Sequence, residues 1–381
     1  MPKLLIVTTI PETICAFLLP YAAYFREQGW QVDGMAQGIL QFPACVDTFH
    51  QSWNVEWSRN PLDLQNFRLA LPQIQAIVEQ EQYDLIHVHT PVAAFLTRWA
   101  LRDRNHRSPL KVIYTAHGFH FYTGGSPLKN GVFWAMEKWA GAWTDYLVVI
   151  NREDEAAAQK SRLVPPDRIR YMPGIGLDLA FYSRDRVSPD AIQSVRAEMG
   201  LAGSEPLLLA IAELTPRKRS TDILQAFAQL AHPTAHLAFA GGGPLLDRLQ
   251  QMARELQVGD RVHFLGFRAD IPELIRASIA TILVSRQEGL PRSVMESLAL
   301  EVPVIGSRIR GTSDLLAEDC GLLVEVGDIP GIAQAMGWIL DRPEAAQKMG
   351  QKGRCAMAQY DWQQTLALHC ALYETALEES P

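Results

Sequence analysis

Two carboxylates, Glu288 and Glu296, stand with seven residues between them and bracket the stretch Glu288, Gly289, Leu290, Pro291, Arg292, Ser293. An apolar run, Ile279 to Ser285, precedes it, and apolar residues at helical spacing follow from Val294 to Leu300. The pattern predicts a strand, a turn at its carboxyl end and a helix, which is where open α/β sheets place their ligands. The first N–H groups of a helix are unpaired and sit at the positive end of its dipole, so the backbone at Ser293 can hold a phosphate. Carboxylates on either side can accept hydrogen bonds from sugar hydroxyls. A nucleotide-sugar offers both kinds of group. The plainer alternatives are a capping box, with Ser293 as N-cap and Glu296 reaching back to it, and a solvated loop carboxylate at Glu288. The combined pattern favours the ligand reading.

Other residues fit the same chemistry. Ala212 to Ser220, AELTPRKRS, leaves a predicted strand and brings Arg217, Lys218 and Arg219 to the start of a helix. Cations there can neutralise a diphosphate leaving group as its bond to a sugar breaks; a solvated basic turn would look the same. His117 ends the run KVIYTA and precedes Gly118, at another strand's carboxyl end. His87 and His89 alternate along a strand as HVH, yet no Cys or carboxylate completes a zinc-type set, and no DxD-like triplet is present. Gly241 to Pro244, GGGP, permits close backbone approach, though a tight turn accounts for it as well.

EGLPRSVME followed by EVPVIGSRIRG resembles the donor-site signature of the retaining GT-B glycosyltransferases of glycosyltransferase family 4. DLIHVHTPVAAFLTRWALR, VIYTAHGFHFYTGG, EKWAGAWTDYLVVINREDEAAA and YMPGIGLD are similar to the branch that builds capsule, exopolysaccharide and lipid-linked oligosaccharides. The resemblance runs from the first strand to about residue 360. It implies two doubly wound Rossmann-like domains facing across a cleft. It implies that Lys218 binds the donor diphosphate with help from Arg217, that His117 is the active-site histidine close to the donor sugar, and that Gly266, Phe267 and Arg268 hold the nucleobase largely by backbone. Glu288 with Gly289, Leu290, Arg292, Ser293 and Glu296 would hold the donor. Many family members carry an Arg where this chain has Glu213, so part of their phosphate clamp is absent. The acceptor would lie against loops Thr9 to Cys15 and Gly118 to Asn130, including Thr9, Thr13 and Phe119. The aromatic residues Phe119, Phe121 and Tyr122 would either face a polyprenyl chain or pack in the core. GT-B enzymes need no metal and no cofactor beyond the nucleotide-sugar, expected here to be a UDP-sugar.

The elements that must position these residues alternate strand and helix twice. Strands are expected at Leu4 to Thr8, Gln31 to Ala36, Asp84 to His89, Lys111 to Ala116 and Tyr146 to Ile150. Helices are expected at Leu18 to Gln28, over 62–81 with a break near Pro72, at Val92 to Arg104, Gly131 to Ala142 and, capped by Asn151, Arg152 to Gln159. A Gly- and Ser-rich stretch with one short helix follows. A second series begins with strand Leu207 to Ala212, helix Ser220 to Leu230, strand His236 to Ala240, helix Pro244 to Leu256 and strand Val262 to Leu265, with a short helix after Pro272. Repeated β-α units imply parallel sheets. The expected division is a first domain over 1–175, a linker over 176–205, a nucleotide-sugar-binding domain over 206–355 and a helical tail over 356–381. In the resembled fold that tail crosses back to the first domain.

The 381 residues suffice for two cores, and 48% hydrophobic with 20% charged residues is ordinary for a globular chain. No apolar run reaches the roughly 18 residues a spanning helix needs, and MPKLLIVTTIPETICAFLLP breaks at Pro11 and Glu12 as a strand and loop would. Five scattered cysteines suggest free thiols in a reducing compartment. A cytoplasmic protein is therefore expected, with peripheral attachment to the inner face of the plasma membrane as an open addition. Residues 1–175 carry 16 Lys and Arg against 16 Asp and Glu, so the formal charge of −7 resides in the remainder. The cluster Arg98, Arg102, Arg104, Arg107 and Lys111, near Phe95 and Trp99, suits either an anionic membrane or a solvated helix face. Nothing points to nucleic acid. Two classes remain: a transferase moving sugar to a lipid-linked sugar acceptor, and a nucleotide-sugar-binding subunit without turnover. A dehydrogenase would need a GxGxxG after the first strand, where TTIPETIC stands. A phosphorylase-like GT-B enzyme would need a pyridoxal lysine.

Overall fold

Short apolar runs with no polar face can be satisfied only between two layers of helix, and here they form the strands of two parallel sheets. The computed structural model describes residues 1–58, 63–104, 109–201 and 203–379. Two units emerge, one built from Met1–Gly176 together with Gln363–Pro381, the other from Leu177–Trp362.

The first unit contains β1 (Lys3–Val7), β2 (Gln31–Ala36), β3 (Ser52–Asn54), β4 (Leu85–His89), β5 (Lys111–Ala116), β6 (Tyr146–Val149) and β7 (Ile169–Tyr171). Their order is β3-β2-β1-β4-β5-β6-β7, with every pair parallel. The order reverses between β1 and β4, the position at which open α/β sheets leave a crevice beyond their carboxyl ends. Helices Leu71–Glu81, Pro91–Ala100 and Pro127–Ala140 lie in sequence between the strands, and Ile74, Val78, Ala94, Leu96 and Ala100 join the core with Leu5, Val7, Ile86 and Val88. The helix Pro91–Ala100 stops four residues before the expected Arg104, because 101–104 turn into a loop. Leu62, the expected start of the preceding helical stretch, lies outside the described residues, and that stretch begins with a π turn at Asn66–Ala70 before Pro72 enters the first turn of the α-helix.

The second unit contains β8 (Leu207–Ile211), β9 (His236–Ala240), β10 (Val262–Gly266), β11 (Ala280–Leu283), β12 (Val304–Ser307) and β13 (Gly321–Val324), in the order β10-β9-β8-β11-β12-β13. Here the reversal falls between β8 and β11. Alternation along β8 sends Leu207 and Leu209 to one core and Leu208 and Ala210 to the other, so both faces are covered.

Two assignments of chain differ from expectation. The stretch 176–205 is no free linker. It carries the helix Pro189–Glu198, capped by the Ser188 side chain, and buries Val195, Met199 and Leu201 in the core of the second unit. Arg196 ties it down further by donating to the carbonyls of Ala277, Gly203 and Glu205. The tail is also divided. Helix Pro343–Ala356 packs in the second unit, and a 3-10 turn at Met357–Tyr360 buries Met357 and Tyr360 there. The last helix, Trp362–Glu378, carries Leu366, His369, Leu372, Tyr373 and Ala376 as a buried stripe at helical spacing. Those residues meet Tyr21, Phe25 and His87 of the first unit. All five cysteines are free thiols, and among the described residues no helix is long and apolar enough to cross a membrane.

Candidate active site

In the second unit the loops that leave β8 and β11, on either side of the strand-order reversal, bring the predicted charges together. Lys218 Nζ lies 2.6 Å from Glu288 Oε1, and Arg217 Nη1 reaches the same oxygen at 3.4 Å and the Gln287 carbonyl at 2.9 Å. A backbone bond from Arg286 N–H to the Arg217 carbonyl fastens the two loops to each other. Among the described residues Glu288 Oε2 makes no hydrogen bond. The carboxylate is thus held by one oxygen, with the other able to accept from a ligand hydroxyl.

The loop after β12 supports this arrangement from beneath. Arg310, 6% exposed, donates from Nε to the Glu288 carbonyl at 2.9 Å. Gly311 has φ +71°, and a Cβ there would stand 2.0 Å from the Gly289 carbonyl oxygen, so no side chain fits. A similar close approach explains Gly241: at φ +148° its Cβ would lie 2.0 Å from the Ala212 carbonyl oxygen. The glycine turn therefore packs on the loop that carries Lys218.

Glu296 does not form a capping box. The helix is Arg292–Ala299, its N-cap is Pro291, and no side chain caps it. Ser293 is already inside the first turn. Its N–H makes no hydrogen bond among the described residues, as the first turn requires, while its carbonyl accepts from the Ser297 hydroxyl at 2.7 Å. Glu296 is buried and uses Oε1 for two donors, Tyr182 Oη at 2.7 Å and Arg292 Nε at 2.9 Å. Burial first, and then the adjacent carboxylate, push the Tyr182 hydroxyl up to about 12, so it is a proton donor at any physiological pH. Tyr182 was invisible to sequence reasoning. It lies 114 positions away, in a stretch without periodicity.

Phe267 is 92% exposed at the end of β10, whereas Arg268 is occupied by ion pairs to Glu198 and Asp270. Its expected contribution to a nucleobase contact is therefore confined to the backbone of the turn, where Gly266 takes φ +66°.

In the first unit His117 follows β5. Its Nε2 lies 3.0 Å from Nδ1 of His89, the last residue of β4. Burial pushes the His117 imidazole down to about 4 and lowers His87 and His89 as well, so the rings are neutral at pH 7. His87 is no metal ligand here, since Nδ1 meets Tyr373 Oη at 2.6 Å and Nε2 meets Thr115 Oγ1 at 2.7 Å. Among the described residues no group of three or more His, Cys, Asp or Glu is arranged to hold a metal ion.

The acceptor-side residues divide. Thr9 is buried: its N–H and hydroxyl both meet Thr90 Oγ1 at 2.8 Å, and its carbonyl accepts from Trp57 Nε1. These bonds tie the loop after β1 to the end of β4. Phe119 is 1% exposed and stacks on Phe121 at 4.7 Å, so of its two open readings core packing is the observed one. Thr13 sits in the short helix Pro11–Thr13, partly exposed. Arg98 is buried with Glu137 and over the Tyr114 ring, and Arg104 is bound to Asp145. Of the expected basic cluster, Arg102 pairs with Asp103, Lys111 is buried, and Arg107 lies outside the described residues. Among the described residues, Arg98, Arg102, Arg104 and Lys111 do not form a free basic face.

Comparisons with known proteins agree with this geometry. A family model described as Glycosyltransferase Family 4 matches residues 18–178, and one described as Glycosyl transferases group 1 matches residues 192–355. The glycosyltransferase EpsD of Bacillus subtilis is 33% identical over 380 residues, covering 99% of this chain and 97% of that protein. UDP-Gal:alpha-D-GlcNAc-diphosphoundecaprenol alpha-1,3-galactosyltransferase of Escherichia coli is 26% identical, over 71% of this chain and 70% of that one. Among solved structures, Anabaena HepE in complex with UDP and glucose superposes with a TM-score of 0.81 at 18% identity, over 98% of this chain and 100% of that one. Two parallel-sheet Rossmann-like units with this likeness define a GT-B protein. The chain belongs to glycosyltransferase family 4, the group 1 glycosyl transferases, and is a transferase enzyme.

Proposed function

We propose that the protein is a retaining glycosyltransferase that moves a hexosyl or N-acetylhexosaminyl group from a UDP-sugar to a hydroxyl of a lipid-linked sugar in polysaccharide assembly, without a metal ion. The observation that carries this reading is the pairing of Lys218 with Glu288 on the two loops beside the strand reversal of the second sheet. The Anabaena protein's complex with UDP and glucose supports the donor class, and the name of the Escherichia coli relative supports a diphosphoundecaprenol-linked acceptor.

In this mechanism Glu288 accepts from sugar hydroxyls, and Glu296, oriented by Tyr182, accepts from the ribose. Lys218, Arg217 and the free N–H at Ser293 stabilise the diphosphate. The bond from the anomeric carbon to the diphosphate oxygen breaks as the acceptor oxygen attacks from the same face, and the acceptor's proton passes to the departing diphosphate. Neither carboxylate needs to be a nucleophile. His117 orients the sugar and need not take the acceptor's proton. A lipid-linked acceptor would bring the protein to a membrane surface as a peripheral partner.

The test is a panel of UDP-sugars incubated with polyprenyl-diphosphate-linked monosaccharides, with the product's anomeric configuration read by NMR. An α-linked product from an α-linked donor, formed in EDTA, is the expected result. Donor binding with neither transfer nor hydrolysis would identify a binding subunit instead. An inverted linkage, or activity lost with chelator and restored by Mg²⁺, would overturn the mechanism.

A further inference from the structure

Four buried or partly buried imidazoles, His87, His89, His117 and His369, lie in one polar row through the first unit. The His89 ring lies tilted 4.1 Å from that of His87 and stacks on His117 at 5.2 Å, and His369 lies 5.8 Å from His87. Leu or Phe would fill the same core positions without polar atoms that must find partners. The row has an order. His87 is fixed at both nitrogens by Tyr373 and Thr115, and His89 is the neighbouring ring on the same face of β4. His89 then meets His117, which leaves the strand and leads into Gly118.

A neutral imidazole has one N–H and one lone pair. Two neutral rings that share an N···N contact of 3.0 Å hold one proton between the touching atoms, so the state of one ring fixes that of the other. If His89 Nδ1 donates, His117 Nε2 accepts and its Nδ1 carries the proton toward a ligand. If His117 Nε2 donates, its Nδ1 presents a lone pair. We propose that His89 is a positioning residue that selects the tautomer and ring orientation of His117, so that Nδ1 of His117 meets the transferred sugar or its acceptor with one defined hydrogen-bonding role. The inference rests on the placement of His117 against the sugar under the proposed function. Burial supports it, since both rings are held neutral and each therefore offers one donor and one acceptor nitrogen.

The asparagine amide reaches the place of a histidine Nδ1, and the glutamine amide reaches that of Nε2. His89→Asn is therefore expected to keep kcat within about threefold of wild type, while His89→Gln and His89→Leu lower it by about tenfold or more with donor KM unchanged. Long-range ¹⁵N–¹H NMR of ¹⁵N-histidine-labelled full-length protein should show one His117 tautomer in the wild type and in His89→Asn, and a mixture in His89→Leu. A tautomer mixture in the wild type would overturn the pairing whatever the variants do. If His117→Ala abolishes transfer while His89→Leu leaves kcat and tautomer unchanged, the pairing fails and the role of His117 stands. If His117→Ala transfers normally, the placement of His117 fails, and the positioning role fails with it.

Discussion

Tyr182 donates its hydroxyl to Oε1 of Glu296 at 2.7 Å, joining the stretch that opens the second unit to the helix that follows its strand reversal. The carboxylate keeps Oε2 for a ligand while Tyr182 and Arg292 hold it by the other oxygen. Removing the hydroxyl with Tyr182→Phe should cost about 1 kcal/mol of stability and weaken UDP binding several-fold, because the carboxylate is left with one orienting donor. Glu296→Gln should weaken UDP binding further while the protein stays folded. Calorimetric titration with UDP checks both, and unchanged affinity in Glu296→Gln would remove this residue from the nucleotide site.

Glu288→Gln tests the other carboxylate. It should lower turnover by about a hundredfold or more with UDP affinity within about threefold, because its contact is with the sugar. Steady-state kinetics of transfer decide the matter. Equal losses in turnover and in UDP affinity would mean that the change acts through Lys218 and the fold of the loop.

Lys218→Ala should weaken binding of UDP and the UDP-sugar by about tenfold and leave uridine binding unchanged, since the ammonium interacts with the diphosphate. A comparable loss for uridine would assign the residue a structural role.

Acid should destabilise the first unit through its histidine row. His117 and His369 are pushed from 6.5 down to about 4 by burial, so between those values the unfolded chain binds more protons than the folded one. Stability therefore rises with pH across this window and is lost as pH falls from about 6.5 toward 4. His369→Phe should reduce that dependence. Thermal melts of the full chain at a series of pH values would show it, and a flat profile between pH 4 and 6.5 would contradict the buried, neutral state of these rings.

Gly311→Ala should disturb the donor loop without touching a ligand. The added methyl meets the Gly289 carbonyl oxygen at 2.0 Å and sits on a backbone with φ +71°. A loss of about 2 kcal/mol or more in denaturant midpoint analysis, with donor KM raised, is expected. A variant as stable as wild type with normal KM would show that the loop after β12 yields freely.

Much of the site was legible because its residues lie near one another in sequence or sit at strand ends. Glu288 follows the apolar run of β11, and Lys218 follows that of β8, so hydrophobic patterning alone placed both at carboxyl ends of parallel strands. Thr9 and Phe119 were less legible because a loop position at a strand end does not reveal whether its side chain turns inward. Thr9 turns toward Thr90 and Phe119 toward Phe121. Tyr182 was missed because its partner is distant in the chain and its surroundings, although buried, follow neither a period of 2 nor of 3.6. The Ser188-capped helix showed only as a short helix among Gly and Pro, and that composition masked its burial against the second sheet.

The closing helix has a consequence for biosynthesis. Leu177–Trp362 separates Gly176 from Gln363, so on the ribosome the whole second unit emerges before the segment that completes the first. At about 5–20 residues per second that delay is on the order of ten seconds or more. Throughout it, the faces of Tyr21, Phe25 and His87 that Tyr373 and His369 later cover stay open to water. The amino-terminal domain thus stays unfinished for the whole time that the carboxy-proximal one is being made, the reverse of vectorial folding, and that interval is when chaperone capture would matter most.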